Sequence, residues 1–154
     1  MLYFAYGSNM NWTQMQDRCP SARAIGVARL PDHRLAFTRR SVKRACGVAD
    51  ALFEAGRNGW GVVFEISQPD VIALDKSEGY RPGREENSYW RRQRMVFLDG
   101  DDGRPITAEA YFAEPESDPP PPSQAYLALI LSGARHWHLP DDYIAELEAI
   151  EVSG

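Results

Sequence analysis

Two places in the chain carry residue types and spacing that could do chemistry. The first is Tyr6-Gly7-Ser8-Asn9, where the apolar run Leu2–Tyr6 gives way to turn-forming residues and then to a helical pattern. At a strand-to-helix passage of this kind, successive backbone N–H groups can converge into a nest for an anion such as a carboxylate. A purely structural turn uses the same residues, and spacing leaves both readings open. The second is Glu78, at the end of a helical pattern and directly before Gly79. A carboxylate there meets the negative end of the helix dipole, which disfavours its ionised form and moves its pKa toward the range useful to a general base. A solvated helix-end glutamate has the same signature.

Other polar residues point to less. His136 and His138 lie close together without a third ligand at a metal-binding spacing, and the reading is no metal site. Arg91, Arg92 and Arg94 lie along one extended segment and read as a solvated face. Trp12, Trp60, Trp90 and Trp137 read as packing. The chain has no GxSxG, P-loop or GxGxxG pattern, so serine-hydrolase, NTPase and dinucleotide chemistries lack their usual sequence support. Cys19 and Cys46 fit no disulfide framework or zinc spacing and read as reduced thiols.

These groups need elements to position them. Leu2–Tyr6 reads as a buried strand, and Asn11 with Gln14 as a capping box opening a helix over Trp12–Arg18 that Pro20 ends. Short strand pieces follow at Ala24–Leu30, Arg34–Thr38 and Gly47–Phe53, interrupted at Pro31-Asp32, at the basic stretch Arg39–Arg44 and at Gly56; Gly61–Ile66 is the clearest strand. Ser67 with Asp70 reads as a second capping box for a helix over Pro69–Ser77. Val71, Ile72 and Leu74 would be its inner face, and Gly79 its stop. Tyr89–Leu98 and Ile106–Phe112 read as a hairpin, Pro119–Pro122 as a stiff surface connection, and Gln124–Ser132 and Asp141–Ile150 as helices, the former ended by Gly133. The fold class is α+β, with a mixed or barrel-like sheet, in one domain over residues 1–154.

The chain has 154 residues with 17 Lys+Arg against 22 Asp+Glu, a net charge of -5. An acidic balance without a basic tail argues against nucleic acid as a partner. The absence of any long apolar segment argues against a membrane, and a first segment without signal-peptide character leads to the expectation of a cytoplasmic protein.

Read together, LYFAYGSNM at the N-terminus and LDKSEG over Leu74–Gly79 resemble the gamma-glutamylcyclotransferase family. Arg18-Cys19-Pro20-Ser21-Ala22, Val27–Leu30, Trp60–Phe64, Ala110-Tyr111-Phe112, Gly133-Ala134, Leu139-Pro140 and Tyr143 continue the resemblance in the family's order. It implies a small mixed β-barrel with flanking helices and an enzyme that needs no cofactor. It also implies a small-molecule gamma-glutamyl substrate whose α-amino nitrogen attacks its own γ-carbonyl, closing 5-oxoproline and releasing an amino acid, and a setting in glutathione metabolism. Glu78 matches the family's catalytic acid/base. Tyr6, Gly7, Ser8 and Asn9 match its substrate loop, with contacts extending back to Tyr3, Phe4 and Ala5, and Tyr89, Tyr111 and Tyr126 fall where family tyrosines line the pocket. The resemblance leaves room for a homodimer. Tyr80–Ser88 looks longer and more charged than in glutathione-pathway relatives, and is expected to shape the leaving-group side. Two alternatives stay open: release of an amine in place of an amino acid, and a noncatalytic binding domain of the same fold.

Overall fold

The computed structural model describes residues 1–153. Leu2–Ala5 forms β1, Arg23–Ser41 β2, Cys46–Glu65 β3, Tyr89–Leu98 β4 and Pro105–Ala113 β5. They close a barrel in the order β1-β3-β2-β4-β5. Every pairing is antiparallel except β1 on β5, which meets in parallel at Tyr3 and Glu109, so the barrel is mixed and the class is α+β. Four helices flank it: α1 (Trp12–Arg18), α2 (Gln68–Ser77), α3 (Gln124–His136) and α4 (Asp141–Glu148). None of the helices among the described residues is long and apolar enough to cross a membrane.

The expected strand pieces between Ala24 and Phe53 are two continuous strands. β2 and β3 pair from Arg23 and Glu65 to Ser41 and Cys46, with register shifts between Ala24 and Gly26, Pro31 and His33, and Phe37 and Arg39. The residues that read as strand ends are therefore bulges: Asp32 adopts φ 60° and Gly56 φ 83°, and the Asp32 carboxylate accepts the Gly56 N–H at 2.9 Å. Of the basic stretch, only Val42–Arg44 leaves the sheet, in the turn over residues 42–45 that joins the two strands.

Asn11 caps α1 by accepting from Gln14 N at 2.9 Å. The Gln14 side chain does not reach back to complete the box; it turns into the site. Ser67 makes no side-chain cap of α2, and the box is not closed from the other side either: the Asp70 carboxylate accepts from the N–H and hydroxyl of Ser21, while the Ser67 N–H donates to Ser21 Oγ at 2.9 Å. Val71 and Leu74 are buried, while Ile72 faces solvent. Nor does Gly133 stop α3. The helix runs on to His136, and a Cβ at Gly133 would lie 2.4 Å from the Met10 carbonyl carbon, so glycine is needed there for close packing. The proline run is pinned to the barrel by a hydrogen bond from Gly47 N to Pro121 O at 3.0 Å. Phe4, Phe64, Met10, Met15, Leu30, Leu74 and Ile130 are fully buried. Trp12 stacks on Phe64, with Trp137 edge-on to both rings. Cys19 and Cys46 are free and buried.

Candidate active site

α2 ends in a Schellman arrangement. Gly79 takes φ +69°, its N–H donates to Lys76 O at 3.1 Å, and Tyr80 N donates to Asp75 O at 2.9 Å. This geometry aims Glu78 into a cavity of about 430 Å³ between α2, β1, β3 and the turn after β1, a size suited to a small ligand. Because the Schellman bonds satisfy those carbonyls, the helix end is not the main influence on Glu78. Burial pushes its carboxyl up to about 7; Arg18 and Arg44 oppose the rise and Asp75 adds to it.

The turn opposite, Ser8–Met10, is a single 3-10 turn. Its first internal bond is Met10 N to Gly7 O at 3.1 Å, so the N–H groups of Ser8 and Asn9 have no acceptor within the turn. Asn9 organises the site. Its Oδ1 accepts from Gln14 Nε2 and Arg18 Nη1, each at 2.9 Å, while its Nδ2 donates to the Tyr3 hydroxyl at 3.0 Å and to Glu78 Oε1 at 3.4 Å. Gln14 also donates to Ser8 Oγ at 2.8 Å and accepts from Arg44 at 3.0 Å. Gly7 precedes the turn with φ -114° and ψ -139°. What it supplies is space, since a Cβ there would sit 3.1 Å from the Ala49 Cβ.

Tyr89 donates to Ala49 O at 2.5 Å and Tyr126 accepts from Ala49 N at 3.0 Å, so the two hydroxyls hold the peptides on either side of Ala49 in β3, on the cavity wall. Burial holds the hydroxyls of Tyr3, Tyr6, Tyr89 and Tyr111 well above the usual phenol range and moves Tyr126 up to about 12. All five are neutral near pH 7.

Behind Glu78, Arg91 contacts both Asp75 oxygens, at 2.8 and 2.7 Å, and the Tyr111 hydroxyl donates to Asp75 at 2.5 Å. Arg91 and Tyr111 are register partners on β4 and β5. Arg91 is thus no solvated face residue; it ties the helix that carries Glu78 to the barrel.

The comparisons with known proteins agree with one another. The sequence pattern described as the AIG2-like family matches residues 59–147. The chain is 34% identical over 154 residues to Gamma-glutamylcyclotransferase of Homo sapiens, covering 97% of this chain and 78% of that protein. Against Gamma-glutamylcyclotransferase of Bos taurus the identity is 35% over 155 residues, with the same coverage of 97% and 78%. The chain belongs to the gamma-glutamylcyclotransferase family. A solved structure of a gamma-glutamyl cyclotransferase superposes with a TM-score of 0.88 at 32% identity, over 99% of this chain and 89% of that one. The protein is an enzyme of the gamma-glutamylcyclotransferase type.

Of the residues expected in the site from sequence, Tyr3, Tyr6, Gly7, Ser8, Asn9, Glu78, Tyr89, Tyr111 and Tyr126 line this one cavity. Phe4 and Ala5 do not. Strand alternation turns Phe4 away from Tyr3, and each of the two residues is 1% exposed within the core. The charged part of Tyr80–Ser88 also stays outside: Gly79 and Ser88 reach the cavity, while Arg81, Arg84, Glu85 and Glu86 are not among its walls. The wall expected from that segment is supplied by Arg39 and Arg40 at the end of β2, by Arg44 in the turn that follows, and by Arg18 and Lys76. Arg18 stood within a family-like motif, but its sequence context gave it no role. The Asp75–Arg91–Tyr111 cluster joins three elements, and no local spacing announces it.

Proposed function

We propose that this chain converts a gamma-glutamyl amino acid to 5-oxoproline and the free amino acid, with Glu78 as general acid/base. The observation that carries the reading is a carboxylate with a burial-raised pKa, about 7, facing a turn whose leading N–H groups are unspent. The substrate's α-carboxylate sits on the Ser8–Asn9 turn, within reach of Arg18. Its α-ammonium gives a proton to Glu78, and the freed nitrogen attacks the γ-carbonyl carbon. A C–N bond closes the five-membered ring, the proton held by Glu78 passes to the leaving nitrogen as the original amide C–N bond breaks, and the ring nitrogen gives up its second proton by way of the same carboxylate, leaving one ring N–H in 5-oxoproline and the released amino acid as its ammonium. No protein nucleophile is needed, because the attacking group is part of the substrate. The site's main task is to hold one folded conformer near attack distance, which the tyrosine-walled cavity is shaped to do.

Residues 1–154 act as one domain in this reading, and its setting is the glutathione metabolism of the cytoplasm. Release of a cationic amine is the less favoured alternative, because the cavity mouth is lined with arginine and lysine. The presence of Glu78 speaks against a noncatalytic binding domain. Incubation with gamma-glutamyl-alanine, followed by mass spectrometry for 5-oxoproline and alanine in equal amounts, tests the proposal. Absence of 5-oxoproline with every gamma-glutamyl amino acid tried would sink it.

A further inference from the structure

A second cavity, of about 530 Å³, opens beside the first and is lined by Arg18, Ser41, Lys43, Arg44, Ala73, Lys76 and Ser77. The two share Arg18, Ser41, Arg44, Lys76 and Ser77, so they form one continuous groove running outward from Glu78. The outer part has four cations and no carboxylate in its walls. None of the four makes an ion pair among the described residues; the ion pairs found there belong to other arginines. Arg18 and Arg44 are fixed at the inner end by Asn9 and Gln14, with Arg44 also 4.8 Å over the Tyr126 ring, whereas Lys43 and Lys76 are exposed farther out. The chain as a whole carries a net charge of -5, so this concentration of unpaired positive charge runs against its average.

We propose that this groove receives the leaving group and selects one with two negative charges, namely the gamma-glutamyl derivative of an acidic amino acid. The inference rests on the cyclotransferase reading above. Any amino-acid leaving group presents one carboxylate, which Arg44 can meet. A second, on an acidic side chain, falls to Lys43 and Lys76. Cations in a concave mouth raise the local concentration of an anionic substrate and are weakened by salt. Two charge contacts at partly exposed sites amount to a preference of about tenfold.

The test compares kcat/KM for gamma-glutamyl-glutamate and gamma-glutamyl-glutamine, whose leaving groups share size and differ by one charge. At about 50 mM ionic strength the glutamate compound is expected to be favoured roughly tenfold, and near 1 M salt the ratio should fall toward one, since the screening length shrinks to about 3 Å. Lys43→Glu and Lys76→Glu, two separate variants, should each pull the low-salt ratio toward one. A wild-type ratio of one or less, with 5-oxoproline formed from both compounds, overturns the groove assignment and leaves the cyclotransferase reading standing. No 5-oxoproline from either compound or from gamma-glutamyl-alanine, by protein that melts cooperatively, overturns both. The wild-type ratio and its salt dependence decide the matter even if neither variant folds.

Discussion

Asn9 Nδ2 lies 3.4 Å from Glu78 Oε1 and is the one side-chain donor on that carboxylate among the described residues. The contact is long, so Glu78 is oriented without being strongly stabilised as an anion. A carboxylate held this way keeps the proton affinity that a base for an ammonium group requires.

Glu78→Gln preserves size and removes the proton acceptor. The expected result is a loss of roughly 10²–10⁴-fold in kcat with substrate binding retained. Rates of 5-oxoproline release alongside calorimetric titration of an uncleaved analogue check it.

The raised pKa of Glu78 also sets a pH dependence. Its value in the fold is about 7 against 4.5 ordinarily, so the native state holds the proton more tightly than the unfolded chain. Stability is full below about 4.5 and declines as pH rises through about 7, by about 3 kcal/mol from this group. Activity runs the other way, rising as Glu78 ionises. At pH 8 the Glu78→Gln variant should therefore melt about 5–10 °C above wild type, with the difference gone near pH 5. Paired melting curves and a pH–rate profile measure both.

Arg91→Ala leaves Asp75 facing Tyr111 without its cation. Because the pair is partly exposed, at 22% and 13%, the expected cost is about 1–2 kcal/mol. The orientation of α2 should loosen with it, lowering kcat more than it raises KM, since Arg91 does not line the cavity. Urea unfolding and steady-state kinetics on one preparation separate the two effects.

Gly7→Ala places a methyl group 3.1 Å from the Ala49 Cβ, at the residue whose flanking peptides Tyr89 and Tyr126 hold. The expected outcome is a several-fold higher KM, because the added methyl group narrows the cavity at this wall. An unchanged KM would show that the cavity yields at this wall.

Much of this site was legible because its parts lie in short contiguous runs: the 6–9 turn follows a buried strand, and Glu78 precedes a glycine that ends a helix. The barrel was legible as alternation and turn chemistry, except where bulges imitate strand ends. Asp32 and Gly56 are turn formers in any local reading, and only cross-strand pairing shows that they kink a continuing ladder. Gly133 was misread for a related reason, since its need is set by Met10, far away in sequence. The basic turn after β2 looked like an interruption because its partners, Gln14 and Tyr126, come from distant segments.

The parallel pairing of Tyr3 with Glu109 joins the first strand, β1, to the last strand of the barrel, β5. Tyr3 also holds Asn9. The ring therefore cannot close before β5 has been synthesised and has found β1, and until then Tyr3 has no fixed seat from which to orient the turn that follows it. Long-range closure of this kind is slow relative to local hairpin formation. Competence is thus acquired late, and a refolding experiment should find catalytic activity returning with the final, barrel-closing phase, after the β2–β3 and β4–β5 hairpins have already gained their strand signal.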